Sequence, residues 1–350
     1  MLKERERRGV VHVVDKRDAE TLRDVARIAG VLTTQRVGQS LVTLEPAGGR
    51  SLARRIVELR AELDAARAER EVHAVHLHGW EACVLGAFAL RPHTEARVVC
   101  SPRGARFGGA WAAPLVAPML RSRLAPFHHA ILAGTLAEGE ALGRLLGRAA
   151  EVLAPPVPAR YFDAPRREPP RPRVVAQVCG EGAVRLATRL SVLMNGREPR
   201  VDFGWIGDVD ARMRGQLEAA HVRELHPDEA LPRAWVYLAV SQGERLPVAL
   251  AHAMAAGVPC LVADSAAHRA LIQHGETGFL CASERDFLEH AVFLLRNAPE
   301  RRSIGEAARA DAARRFTELN YRRALLRVYG LPAPAAIEKR SPCPPLQIVV

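Results

Sequence analysis

Short apolar runs alternate with amphipathic stretches along almost the whole of this 350-residue chain, and the alternation stops and restarts once. Apolar runs bounded by helix-like stretches belong to parallel strands buried on both faces, because the crossover helices cover both sides of such a sheet. In the first half these runs are GVVHVV (9–14), SLVTLE (40–45), VHAVHLH (72–78), ARVVCS (96–101), HAILAG (129–134) and AEVLAP (150–155). Helix-like stretches at 17–30, 51–70, 79–90, 111–124 and 135–147 separate them. Residues 164–173, APRREPPRPR, are charged and proline-rich and predict an interdomain linker. The alternation resumes with RVVAQVCG (173–180), RVDFGWIG (200–207), HVRELH (221–226), AWVYLAVS (234–241), VPCLVA (258–263) and GFLCA (278–282). Helices are predicted at 182–195, 209–219, 246–256, 266–273, 284–297, 299–315 and 317–328, before a proline-rich tail (331–350) expected to be disordered. The expected domains are 1–163 and 174–312, with any ligand in a cleft between them at the carboxyl ends of the strands.

The net charge of +11 invites a nucleic-acid reading. Nearly all of that charge is arginine, lysine occurring only at Lys3, Lys16 and Lys339. The arginines mix with acids, as in RRIVELRAELDAARAERE (54–71), which is the pattern of solvated helix faces. A GC-rich coding bias would produce the same composition. A functional basic surface, the alternative, would suit an anionic membrane or substrate better than nucleic acid, for which no recognition signature is present. The six cysteines, Cys83, Cys100, Cys179, Cys260, Cys281 and Cys343, include no C-x-x-C pair, and most lie in apolar runs. Buried reduced thiols are expected. The start, MLKERERRGVVHVV, has no apolar signal core, and no apolar run is long enough to span a bilayer. The expected location is the cytoplasm, with peripheral contact to the inner face of the membrane left open.

The most informative window is AWVYLAVSQGERLPVALAHAMAAGVPCLVADSAAHRALIQHGETGFLC (234–281). A strand ends at Ser241, a turn presents Glu244, and a helix follows from Leu246, with Pro247 in its first turn and Gly257 at its stop. An anion there would meet free backbone N–H groups and the positive end of the helix dipole. The helix is nearly all small and apolar, with His252 its one polar intruder. This window resembles the donor-site segment of GT-B glycosyltransferases of family 4 (group 1). The match runs through Ser241, Glu244, Ala253, Met254, Ala255, Gly257, Pro259, Gly275, Thr277 and Gly278. In that family two glutamates spaced E-x7-E contact the transferred sugar and the ribose. Glu244 occupies the first position and His252 the second, a departure from the pattern. Imidazole can hydrogen-bond one hydroxyl but cannot accept two as a carboxylate does. A buried core histidine is the alternative for His252, and a solvated loop carboxylate the alternative for Glu244.

Weaker resemblances extend from about residue 70 to 328. VCGEGAVRLATR (178–189) is similar to the Gly-Arg-Leu…Lys stretch that neutralises the donor diphosphate. Gly180 fits, Glu181 stands where arginine is usual, and Arg185 or Arg189 is left near the phosphates or on the helix surface. Gly180-x-Gly182 lacks the third glycine of a dinucleotide fingerprint. CSPRGARFGGAWA (100–112) looks like an acceptor-side loop, giving Arg103 and Gly104 as candidate acceptor contacts, with a solvated arginine as the alternative. VLAPPVPARYF (152–162) resembles the crossing to the second domain. The first-strand loop, VVDKRDAE, lacks the usual glycine pair. His76 and His78, in a Val-His-x-His strand end, are read as facing opposite sides, and no pair has metal-ligand spacing.

The resemblance implies an α/β GT-B fold, two Rossmann-like domains with parallel sheets facing a central cleft. The first (1–163) would take the acceptor and the second (174–312) the nucleotide sugar, with a closing helix at 313–330 returning to the first. It implies a retaining hexosyltransferase using a nucleoside diphosphate sugar, a glycan or lipid-linked acceptor and no metal or other cofactor, in surface polysaccharide biosynthesis. Gly243, Arg245 and Leu246 join Gly180, Arg185 and His252 as donor-binding candidates, with Glu244 as the catalytic one. The departures at His252, Glu181 and the first-strand loop leave a second expectation, an inactive GT-B protein serving as a partner or scaffold. An epimerase on the same architecture has little motif support.

Overall fold

The computed structural model describes residues 8–15, 19–45, 48–91, 95–102, 112–134, 136–198, 200–240, 248–332 and 347–348. The first half runs β1 (Arg8–Asp15), α1 (Ala19–Thr34), β2 (Gly38–Leu44), α2 (Leu52–Glu69), β3 (Glu71–His78), α3 (Gly79–Ala89), β4 (Arg97–Ser101), α4 (Ala112–Leu124), β5 (His129–Ala133), α5 (Leu136–Leu146) and β6 (Glu151–Val152). Then come α6 (Ala159–Asp163), β7 (Arg173–Val178), α7 (Glu181–Arg197), β8 (Asp202–Gly207), α8 (Ala211–Ala219), β9 (Arg223–Glu224), α9 (Pro227–Ala230) and β10 (Val236–Ala239). The rest are α10 (Val248–Ala255), β11 (Cys260–Ala263), α11 (Ala266–Arg269), β12 (Gly278–Cys281), α12 (Glu284–Arg296), α13 (Ala298–Arg315), α14 (Glu318–Tyr329) and β13 (Gln347–Ile348). Two compact units divide this chain: Met1–Leu153 with Arg322–Val350, and Ala154–Tyr321.

The first unit is built on a parallel sheet ordered β13-β2-β1-β3-β4-β5-β6. Its strands are apolar on both faces because helices cover both. Val11, Val13, Val75 and Leu77 pack with Leu59 and Leu63 of α2, Leu85 of α3 and Leu120 of α4, while Val14 meets Val25 of α1 on the other side. Three histidines interrupt that second face: His12, His76 and His78 are all buried. The reading that put His76 and His78 on opposite sides is wrong, because residues two apart on a strand share a face. Their rings stack with centroids 3.7 Å apart. Residues Arg322 onward rejoin this unit, where the Tyr329 hydroxyl bonds His76 Nδ1 (2.6 Å) and the Tyr329 carbonyl oxygen bonds His73 Nε2 (3.0 Å). In the tail, Gln347–Ile348 pair alongside Ser40–Leu41, a strand that an unstructured tail did not anticipate.

The second unit carries a parallel sheet ordered β12-β11-β10-β7-β8-β9. Val174, Ala176, Phe203, Trp205 and Leu261 face α7 and α12, and Val175, Tyr237, Cys260 and Val262 face α10 and α13. The arginine-rich stretch 164–173 is fastened onto this unit. Glu168 accepts from Arg301 Nε (3.0 Å) and Nη2 (2.8 Å) and pairs with Arg166 (2.8 Å). Arg301 is buried, also donates to the Leu294 carbonyl (2.7 Å), and lies 3.9 Å over the Trp235 ring. Burial of the thiols holds for Cys83, Cys100, Cys260 and Cys281, but Cys179 is exposed because it lies in the turn after β7. Cys343 lies outside the described residues.

Candidate functional site

The order of the second sheet reverses between β7 and β10, since the chain goes outward from β7 to β8 and β9 and then returns to β10. Crevices at the carboxyl ends of such a strand pair are where open α/β sheets bind ligands. Cys179 and Gly180 leave β7 at that place, beside the end of β10 at Ala239. Of the sequence-predicted donor residues, Gly180 therefore falls beside the reversal. Gly243, Glu244, Arg245 and Leu246 lie outside the described residues, as do Arg103 and Gly104 on the acceptor side.

The helix after the predicted turn is described from Val248, and all but one of its sides are buried: Leu250, Ala251, Ala253, Met254 and Ala255 are in the core. It stops as its sequence demands. Gly257 is left-handed (φ 72°), its N–H bonds the Met254 carbonyl (2.9 Å), and the Val258 N–H bonds the Ala253 carbonyl (3.0 Å). The Gly257 carbonyl takes a hydrogen bond from Arg166 and packs against Gly305 of α13, where any Cβ would collide with it. These contacts set the position of α10, and with it that of His252.

His252 is half-buried, with its ring stacked on Tyr161 at 4.3 Å between centroids and 20° between planes. Tyr161 is buried; its hydroxyl donates to Asp228, which also takes a hydrogen bond from Arg160 (3.0 Å). The Tyr161 hydrogen bond and then Arg160 hold the Asp228 carboxyl below its usual range. Burial, and then the Arg160 charge, lower His252 from 6.5 to about 4, so its imidazole is neutral at pH 7. A neutral ring has one N–H donor and one lone pair, enough for a single bond to a hydroxyl. Tyr161, Asp228 and Arg160 were missed by the sequence reading. The only signal was ARYF at the end of the crossing segment, and Asp228 sits 67 residues from Tyr161.

Gly180 is the residue before α7, at φ 83°, a conformation that side chains rarely adopt. Glu181, in place of the usual arginine, forms an exposed ion pair with Arg212 of α8. Arg185 is on the exposed side of α7, lining an open groove with Gly182, Leu186, Thr188, Arg189 and Glu284, and Arg189 is paired with Glu284 (3.2 Å). Arg185 has no ion-pair partner among the described residues, whereas Arg189 is already engaged.

Residues 220–311, which hold β10, α10, β11 and β12, match the family model described as glycosyl transferases group 1. N-acetyl-alpha-D-glucosaminyl L-malate synthase of Bacillus anthracis is 33% identical over 90 residues, 25% of this chain and 24% of that protein. This chain thus aligns with about a quarter of the length of that curated relative. In fold the chain is similar to a glycosyltransferase from Rickettsia africae (TM-score 0.73, 11% identity, 92% of this chain and 98% of that one). It is similar also to Anabaena HepE in complex with UDP and glucose (0.65, 15%, 91% and 99%). A third is sucrose-phosphate synthase of Thermosynechococcus elongatus (0.67, 14%, 93% and 98%). The fold is GT-B, and residues 220–311 match the group 1 model, as the sequence window implied.

Proposed function

We propose that this chain is a retaining glycosyltransferase that moves a hexosyl group from a nucleoside diphosphate donor to a glycan or lipid-linked acceptor in surface polysaccharide biosynthesis. The observation that carries this reading is the coincidence of the group 1 match with the strand-order reversal of the second sheet, where Gly180 follows β7 beside the end of β10. In this reading Glu244 orients the donor sugar. Backbone N–H groups at the start of α10 stabilise the departing diphosphate, a fixed-dipole effect of the kind that dominates many enzymes. His252, neutral beside Tyr161, gives one hydrogen bond to a ribose hydroxyl. Arg185 lies near the phosphates, and Arg103 with Gly104 on the acceptor side. No cofactor is required, and the reaction takes place in the cytoplasm or against the inner face of the membrane. Among the described residues no helix is long and apolar enough to cross a membrane.

Calorimetric titration of the full chain with uridine and guanosine diphosphates tests this. Saturable binding of one of them is expected, and the absence of heat with both would overturn the reading. A second reading, an inactive GT-B partner protein, is favoured by the stacking of His252 on Tyr161 where a carboxylate is usual, and by the pairing of Glu181 with Arg212. It predicts nucleotide binding with no sugar release or transfer from any donor, measured by product chromatography.

A further inference from the structure

The buried imidazoles of the first unit have no part in the proposed donor chemistry. His12 of β1 and His76 of β3 are register partners, and His78 ends β3, so all three lie where the first sheet's order reverses between β1 and β3. One nitrogen from each ring lies within 4.8 Å of the other two. His12 Nδ1 and His78 Nε2 are 3.1 Å apart. Metal–nitrogen bonds of about 2.0–2.1 Å at tetrahedral angles put ligand nitrogens about 3.3 Å apart, so this pair already has the spacing of one edge of a zinc polyhedron. His76 is held from both sides, by Ser101 Oγ at Nε2 (2.7 Å) and by the Tyr329 hydroxyl at Nδ1 (2.6 Å). His12 Nε2 and the Gln39 amide oxygen are both buried without a well-formed hydrogen bond.

We propose that His12, His76 and His78 form a binding site for a divalent transition-metal ion of the Zn2+ type, with the Tyr329 oxygen as fourth ligand. Ligation needs neutral imidazoles, and all three rings are buried, an environment that disfavours the charged form. Ser101 accepting from Nε2–H directs the His76 Nδ1 lone pair to the ion, and the unbonded Gln39 oxygen is the acceptor available to His12 Nε2–H, which would leave His12 Nδ1 for the ion. These are the outer hydrogen bonds by which metal-bound histidines are oriented. As the metal–oxygen bond forms, the Tyr329 phenol releases its proton to solvent, which reduces the buried charge. The site is structural: it ties β1 and β3 to the segment that returns at residue 329.

The test uses full-length, tag-free protein stripped with a chelator and titrated with Zn2+ alone, and with Co2+ for its visible spectrum. One ion per chain, a tetrahedral cobalt band and a raised Tm with Zn2+ are expected. His12→Gln and His78→Gln should abolish this uptake. The double variant His274→Gln/His290→Gln, at a histidine pair with ring centroids 5.8 Å apart in the second unit, should retain it. Tyr329→Phe should keep binding but alter the cobalt band. Should a histidine variant fail to fold, the ring nitrogen NMR shifts of the wild-type chain decide, since three buried imidazoles must move with one equivalent of Zn2+. No saturable uptake by the wild-type chain, uptake indifferent to His12→Gln, or uptake lost in the His274/His290 variant would each overturn the site.

Discussion

The imidazole of His252 lies flat against the phenol ring of Tyr161, 4.3 Å away, and the Tyr161 hydroxyl is anchored on Asp228. The ring that replaces a motif carboxylate is therefore held in place by a side chain more than ninety positions earlier (252 against 161). On the transferase reading, restoring the carboxylate adds an acceptor at the ribose. His252→Glu should tighten uridine or guanosine diphosphate binding about 5-fold, near 1 kcal/mol, the worth of one added hydrogen bond. Calorimetry measures it. A lowered Tm with no gain in affinity would show a glutamate stranded against Tyr161 and defeat the ribose role.

Glu244→Gln should leave the Tm unchanged and lower sugar transfer at least ~10-fold, about 1.4 kcal/mol of transition-state stabilisation. The comparison is of kcat/KM in a purified transfer assay, and equal values would remove Glu244 from the mechanism.

Acid should weaken the fold through His12. Its folded value of about 4 lies below the 6.5 of an exposed imidazole, so the unfolded chain binds more protons between those limits. Stability is full above pH 6.5 and falls as pH drops toward 4, by about 3 kcal/mol for His12 at 1.36 kcal/mol per pH unit. His252, also lowered to about 4, adds to the same window. Urea denaturation of the chelator-stripped chain at stepped pH should therefore show a slope that His12→Gln reduces without abolishing. An unchanged slope in that variant would refute the assignment.

Arg301→Ala should cost about 3–5 kcal/mol, because it leaves the partly buried Glu168 without its two-pronged partner and empties the space beneath Trp235. Guanidinium unfolding of the full chain measures the loss. A change under 1 kcal/mol would mean that water replaces the guanidinium at little expense.

Much of this architecture was legible because burial on both faces writes itself into sequence as apolar runs: RVVAQVCG (173–180) became β7 at Arg173–Val178, and LPVALAHAMAA gave a core helix stopped at Gly257. The end of that helix was legible because a glycine stop is a local signal. The short α6 and α9 were not, since neither has length enough to show a period. The Tyr161–Asp228 bond and the meeting of His12 with His76 and His78 depend on which strands and helices become neighbours, which no local pattern encodes. The misassigned faces of His76 and His78 came from miscounting a period of two, an error of reading rather than of missing information.

The first unit is sewn from two pieces of chain, Met1–Leu153 and Arg322–Val350, whereas the second is the unbroken stretch Ala154–Tyr321. On the ribosome this sets an order of events. The second unit has all its residues once Tyr321 has emerged, while the first still lacks Tyr329, its partner for His73 and His76. The half that is made first is thus completed last, and it must wait through the synthesis of the whole intervening stretch with an unfilled place above β3.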